Sequence, residues 1–365
     1  MFARFRPPWW HVPLPWLTGE DADDAALWRE HLASRTRMGK AFAETNTPDW
    51  PWSSWTRFQG VALTSVTFGA WALSGASCAL ALAFGSWRVR VAIALYFCVT
   101  TVKKAPFLAT PYEYVARLET GAANGWRLVC AFKPGSIDCS NRPHLLCSHP
   151  HGLFCAGVSL NVIHSKNALR VINARRVRLL VHPLLVNVFP LIKDWLRVLG
   201  QLPCDRTTAR KALERGETCA IVPGGVREVV WAGRVDKEHL YLSDVYGFVK
   251  LAIQTNAPLV PVYTFGESLS MGPDWVPFFA TRKKLAYLIN APIRFVSLCQ
   301  RWCFPFPNGA LVTVVGDPID PGPPENDPSR DRVGKLHAAY VDALLRLIER
   351  TKSEAGYPTQ KTVIV

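Results

Sequence analysis

Hydrophobic positions divide the chain into three stretches. Residues 61–87 contain no charged side chain. At 1.5 Å of rise per residue, a helix of that length can cross a hydrocarbon layer of roughly 30 Å. Arg88 and Arg90 interrupt the run, and residues 91–102 are apolar again before Lys103 and Lys104. The pair reads as a helical hairpin with its tip between Gly85 and Arg90 and a shorter, re-entrant or spanning return. An arginine at the bilayer centre costs about 2.5–3.5 kcal/mol on insertion scales, so both arginines belong at an interface. Arg35, Arg37, Lys40 and Arg57 precede the hairpin, and Lys103, Lys104 and Arg117 follow it. That basic excess places both outer flanks on the cytosolic side. A buried hairpin of a soluble core is the alternative.

After about residue 110 the pattern changes to short apolar runs alternating with amphipathic ones. Residues 145–148, 177–181, 218–222, 259–264 and 311–315 read as buried strands, being short, apolar and bounded by Gly or Pro. Residues 207–215 read as a helix ended by Gly216, and 246–255 as another. The last helix, 331–352, lines up Leu336, Tyr340, Leu344, Leu347 and Ile348 on one face. Strands alternating with helices predict an α/β domain around one sheet. The chain thus divides into a segment 1–57, a hairpin 58–104 and a catalytic domain 105–365.

Composition narrows the partners. Lys and Arg total 42 against 28 Asp and Glu, a net charge of +14, which favours nucleic acid, anionic membranes or phosphorylated molecules. The basic residues are dispersed and no aromatic nucleic-acid motif accompanies them, so nucleic acid is set aside. Segment 1–57 holds seven of the fourteen tryptophans, rings that favour a membrane–water boundary or a loosely packed surface. The ten cysteines show no disulfide-scaffold spacing, which points to a reduced, cytosol-facing protein. The first residues lack the apolar core of a signal peptide.

Two strings carry candidate chemistry. Ser148-His149-Pro150-His151-Gly152 directly follows a predicted strand. An imidazole held there can take a proton from an alcohol near neutral pH, although two structural histidines would fit the same string. Cys147, His149, His151 and Cys155 also form C-x-H-x-H-x3-C, a collection of zinc-binding types; if the strand stays extended, the first three share a face. The spacing matches no common structural zinc site, and no metal is assigned. Pro223-Gly224-Gly225-Val226-Arg227-Glu228 follows another strand. Its glycines let backbone approach a ligand and aim amides at an oxyanion, and Glu228 can orient a histidine or simply pair with Arg227. Further along, Lys250 and Glu267 are candidates for polar roles in otherwise apolar elements. Serine-hydrolase elbows, P-loops and dinucleotide fingerprints are absent.

In this order and spacing the strings resemble the type-2 diacylglycerol acyltransferase family, which includes monoacylglycerol acyltransferases and some wax synthases. The resemblance rests on the double apolar segment 61–102, His149-Pro150-His151-Gly152, Pro203-Cys204-Asp205-Arg206-Thr207, Gly224-Gly225-Val226-Arg227-Glu228, Gly247-Phe248-Val249-Lys250-Leu251-Ala252, Val260-Pro261-Val262 with Phe265-Gly266-Glu267, and Val314-Val315-Gly316-Asp317-Pro318. It implies a membrane-anchored, glycerolipid-acyltransferase-like α/β domain with a central, mostly parallel sheet flanked by helices. It implies acyl-CoA as co-substrate with no cofactor, a neutral lipid such as diacylglycerol as acceptor, and the endoplasmic reticulum membrane with termini and active site facing the cytosol. Lipid droplets and a homo-oligomer stay open. His151 is then the expected base, His149 its helper and Glu228 the acid that orients the imidazole. Pro150, Gly152, Arg206, Gly224, Gly225, Arg227, Lys250 and Glu267 complete the expected substrate site. A zinc-dependent hydrolase and a non-catalytic lipid-binding protein are the readings from other classes.

Overall fold

The structure is a computed structural model that describes residues 80–123, 126–133, 135–152, 154–187, 191–232, 237–268, 279–289 and 311–365, with positions 59, 62, 77 and 78 before them. Segment 1–57 and most of the apolar run 61–87 lie outside the described residues. The strands are β1 (Arg127–Cys130), β2 (Leu145–His149), β3 (Arg178–Val181), β4 (Leu202–Pro203), β5 (Cys219–Ile221), β6 (Glu238–Leu240), β7 (Leu259–Phe265), β8 (Val312–Val315) and β9 (Thr362–Ile364). The central sheet runs in the order β1-β8-β7-β2-β5-β3-β4. The five strands from β7 to β4 are mutually parallel, whereas β8 is antiparallel to β7 and parallel to β1. All five predicted strands form, within one or two residues of their expected ends. The short strands β4, β6 and β9 and the solvent-edged β1 carry too little apolar sequence to stand out, and were not anticipated.

Six helices bear on the site: α1 (Trp87–Val102), α2 (Ile192–Val198), α3 (Arg206–Glu214), α4 (Gly225–Val229), α5 (Gly247–Thr255) and α6 (Arg330–Thr351). Their ends follow local chemistry. Asp205 caps α3 by accepting from Thr208 N at 2.9 Å, and Ser329 caps α6 by accepting from Arg332 N at 3.2 Å. Asn256 ends α5 in the left-handed conformation, at φ +50°.

Alternation along the central strands builds a core on each face of the sheet. Leu145 and Cys147 of β2, with Leu259, Tyr263 and Phe265 of β7, pack with Leu213, Phe248, Tyr340 and Leu344 from α3, α5 and α6. Leu146, Val260 and Val262 pack on the opposite face with Tyr112, Val158 and Ile163. Every residue of β2 and β7 is buried, as expected of parallel strands covered on both faces.

Of the expected hairpin, the last residues of the first arm, 80–84, are helical, and the second arm follows them. That arm is helix α1, which begins directly after Gly85 and Ser86, so Arg88 and Arg90 sit in its first turn and not in a loop. Leu95, Val99 and Val102 are exposed along it. Elsewhere α1 seats on α2: Tyr96 bonds Asp194 and accepts from Leu191 N at 2.8 Å, and the buried Lys193 donates to Thr100. Among the described residues no helix is long and apolar enough to cross a membrane.

Candidate active site

Three adjacent parallel strands deliver polar side chains to one edge of the sheet, the carboxyl ends where open α/β sheets place their ligands. Strand β2 ends on His149, and Pro150, His151 and Gly152 turn the chain into a helical segment beginning at 156. From β5 the chain passes through Val222 and Pro223 to Gly224 and Gly225, and α4 then carries Glu228 inward. Strand β7 ends on Phe265, two residues before Glu267.

His149 Nδ1 lies 3.6 Å from Glu228 Oε1, and both side chains are shielded from solvent. The separation is longer than a hydrogen bond, and neither oxygen of Glu228 has a hydrogen-bond partner. On the other edge of the ring, Nε2 lies 3.1 Å from the hydroxyl of Tyr340. Burial pushes the Glu228 carboxyl up, against His149 and the main-chain N–H of His151, which pull it down. Glu228 was expected to orient His151; the structure sets it against the ring of His149 and only the backbone of His151.

His151 is half-buried. Its Nδ1 stands 3.2 Å from the carbonyl of Gly152. A proton on Nδ1 satisfies that carbonyl and leaves Nε2 as the lone-pair nitrogen. Burial pushes the imidazole down to about 4. Cys155, at φ +53°, brings its sulfur to 3.4 Å from Nδ1. Cys147 instead sits in the apolar core beneath His149, so the suggested zinc string is divided between two environments. Among the described residues, no group of three or more His, Cys, Asp or Glu side chains is placed to hold a metal ion.

Glu267 is buried and accepts from the backbone N–H groups of Ala156 at 2.8 Å and Gly157 at 2.7 Å. A carboxylate there satisfies amides that the start of a helix leaves orphaned. Burial pushes it up to about 7 despite those donors. It braces the loop carrying His151. Gly152 completes the brace: at φ +55° it has left-handed backbone, and a Cβ there would lie 2.7 Å from Glu267 Cγ and 2.9 Å from its main-chain oxygen. Gly152→Ala is therefore expected to destabilise the fold by about 1–3 kcal/mol, read as a lower thermal midpoint. An unchanged midpoint would show that the loop has room this geometry denies.

The remaining expected residues scatter. Pro150 is buried between the two histidines. Gly225 spends its amide on Val222 O at 3.1 Å. Arg227 lies over the rings of Tyr241 and Tyr287, with Asp244 at 3.4 Å. It lines a cavity of about 360 Å³ together with 223–226 and 244–247. Arg206 and Lys250 are exposed on α3 and α5, and among the described residues no hydrogen bond or ion pair joins either to His149, His151 or Glu228. Two site residues escaped the sequence. Glu238 of β6 accepts from Ser268 Oγ at 2.6 Å and is pushed up to about 8 by burial, with Glu228 and Glu267 adding to the shift. Tyr340 registered only as an apolar position on its helix.

The chain matches the family described as Diacylglycerol acyltransferase over residues 136–365. It is 32% identical over 237 residues to the mouse (Mus musculus) diacylglycerol O-acyltransferase 2-like protein 6, a match covering 58% of this chain and 67% of the relative. With the human (Homo sapiens) 2-acylglycerol O-acyltransferase 3 it shares 31% identity over 238 residues, 60% of this chain and 67% of the relative. A solved 1-acyl-sn-glycerophosphate acyltransferase, PlsC from Thermotoga maritima, superposes with a TM-score of 0.43 at 13% identity, covering 81% of this chain and 99% of PlsC. The family match takes in both histidines, the glycine turn with Glu228, the Glu267 brace and all of α6. On that match the chain belongs to the diacylglycerol acyltransferase family and is an acyltransferase.

Proposed function

We propose that the protein transfers a fatty acyl group from acyl-CoA to the free hydroxyl of diacylglycerol, forming triacylglycerol and releasing CoA. The observation that carries this reading is the half-buried His151, two residues beyond the buried His149 that faces Glu228 at the end of β2. His151 Nε2 takes the proton of the acceptor hydroxyl while that oxygen attacks the thioester carbonyl. The tetrahedral intermediate then collapses, the C–S bond breaks, and the departing sulfur takes the proton back from His151. Glu228 supplies negative charge behind the imidazolium that forms between the two steps. With the amide of Gly225 committed to Val222, Gly224 is the glycine of this turn whose N–H serves the oxyanion. Arg227, at the rim of its cavity, suits the phosphates of CoA, and the exposed Arg206 and Lys250 stay in reserve for them.

The exposed apolar residues of α1 and the basic balance of the chain support work at the cytosolic face of the endoplasmic reticulum membrane, where acceptor and acyl chain are dissolved. Similarity to a protein named 2-acylglycerol O-acyltransferase 3 supports monoacylglycerol as the second acceptor to test. Membranes from a host lacking neutral-lipid synthesis, supplied with labelled oleoyl-CoA and with diacylglycerol, 2-monoacylglycerol or a fatty alcohol, decide among them. Labelled triacylglycerol is the expected product. Label only in diacylglycerol or wax ester would move the acceptor, and no product from a folded protein would sink the reading.

The pH profile follows from His151. A base must be unprotonated, and this imidazole is held down at about 4 instead of the usual 6.5. Activity is therefore expected to persist on acidification from pH 7 to about 5 and to fall as pH drops through about 4. An acid limb centred near 6.5 in kcat/KM would contradict the assignment.

A further inference from the structure

We propose that Tyr340 is a positioning residue whose hydroxyl holds a proton on Nε2 of His149, so that Nδ1 of the same ring is presented to Glu228. This rests on the reading of His151, backed by His149 and Glu228, as the catalytic group.

A tyrosine hydroxyl has a single hydrogen to donate and accepts through its oxygen. The hydrogen of Tyr340 is directed to the main-chain carbonyl of Cys147 at 3.2 Å. That carbonyl lies on the same strand as His149, two residues earlier. The oxygen of Tyr340 is left to accept, and the atom facing it at 3.1 Å is His149 Nε2. Nε2 must then carry the hydrogen. His149 and Tyr340 have no exposed surface, so bulk solvent does not reach either partner. With Nε2 fixed as a donor, the neutral ring presents the lone pair of Nδ1 to Glu228 Oε1, 3.6 Å away, and neither atom has a hydrogen-bond partner. A proton that the pair takes up is then held between the ring and the carboxyl.

Among the described residues, Tyr340 alone is placed for this role. The ring of His149 is approached by Glu228 from α4 and by Tyr340 from α6. Tyr263 stands beside His149 in register on β7, but its hydroxyl accepts from Gln360 and points away toward the β6–β9 edge. Tyr340 is itself held by packing, with the ring of Phe248 edge-on at 5.0 Å. Its place on α6 fixes the hydroxyl without help from the substrate.

The test compares the full-length wild type with Tyr340→Phe. A hydrogen bond to a charged or charge-sharing group, lost in a buried site, is expected to lower kcat by about 10- to 100-fold with KM within about twofold. A purely structural role would lower the thermal midpoint and leave kcat of the folded enzyme alone, and that outcome overturns the proposal. Phe248→Leu, which loosens the packing and keeps the hydroxyl, serves as that control. Independently of turnover, ¹⁵N-histidine NMR of the full chain, with His149 identified by the signal missing in His149→Gln, reads the tautomer directly. The expected result is a protonated Nε2 in the wild type that is lost in Tyr340→Phe. An Nε2 without a proton in the wild type overturns the proposal. If the wild type transfers no acyl group while the tautomer switches as expected, the positioning role stands and the acyltransfer assignment to this site falls. Should Tyr340→Phe fail to accumulate, 3-fluorotyrosine at position 340 keeps the ring and weakens the oxygen as an acceptor. A lower kcat supports the proposal, and an unchanged kcat and tautomer overturn it.

Discussion

Replacing His151 with alanine is expected to lower acyl transfer by about 10²–10⁴-fold, the usual contribution of a positioned general base, while the protein keeps its thermal midpoint. The side chain is half-buried and its hydrogen bond is local, to Gly152 O at 3.2 Å, so little of the fold depends on it. His149→Ala differs in kind. It removes the ring that stands between Glu228 and Tyr340 and leaves a carboxyl with no partner in a site closed to water. Breaking a buried pair by removing one member costs about 3–5 kcal/mol, so activity and stability are expected to fall together. Measuring both variants for labelled product and for thermal unfolding separates the roles. If His149→Ala were inactive but stable, and His151→Ala active, the two histidines would exchange places in the mechanism.

Gly224→Ala is expected to be nearly as severe, for a reason of space alone. The backbone of Gly224, at φ −66°, suits any residue. A Cβ there, however, would lie 1.9 Å from Glu228 Oε2 and 2.6 Å from its carboxyl carbon. Glu228 is hemmed in by His149 and the loop of His151, so it can yield only by leaving the pair. Transfer should drop by about 100-fold or more, with an overpacking cost of about 1–3 kcal/mol. Gly225→Ala is the informative neighbour. Its Cβ would meet nothing within 4 Å, but its φ of +51° asks for left-handed backbone, a strain of about 1–2 kcal/mol. Gly225→Ala should therefore lose stability and retain most of its activity. Equal activity losses in the two variants would show that the carboxyl is not held where the geometry puts it.

These glycines illustrate how far the sequence could be read. The turn and its acid were visible in the string 223–228, as were five strands of the central sheet, because apolar runs between Gly and Pro have few other folds. What the turn's glycines are for was not visible: one is needed for room and the other for conformation, and a sequence shows only the letter. The two histidines show a similar limit. Alternation along an extended strand puts residues 147, 149 and 151 on one face, but β2 ends at His149 and the chain turns at Pro150, so His151 escapes the pattern. Glu228 accordingly meets the first ring and not the second. Tyr340 was placed correctly on the buried face of its helix by periodicity, yet periodicity weighs only the ring. Nothing local marks the hydroxyl, because the atoms that give it meaning come from β2. Glu238 is hidden in the same way, its strand being three residues long and paired, among the described residues, only to β9.

His149 and Tyr340 are separated by 191 residues, and this has a consequence for how the protein is made. At about 5–20 residues per second, a ribosome needs ~10–40 s to add the chain between them. Within that interval β5 and β7 emerge and can pair with β2, and α3 and α5 can begin to cover its face, but the part that α6 covers stays open. The apolar side chains that α6 will meet, Leu145, Cys147 and Tyr263 among them, are open to other chains or to chaperones until the helix arrives. The nascent protein thus carries its own hazard at the place where its chemistry will be, and closing that face and seating the imidazole are the same event.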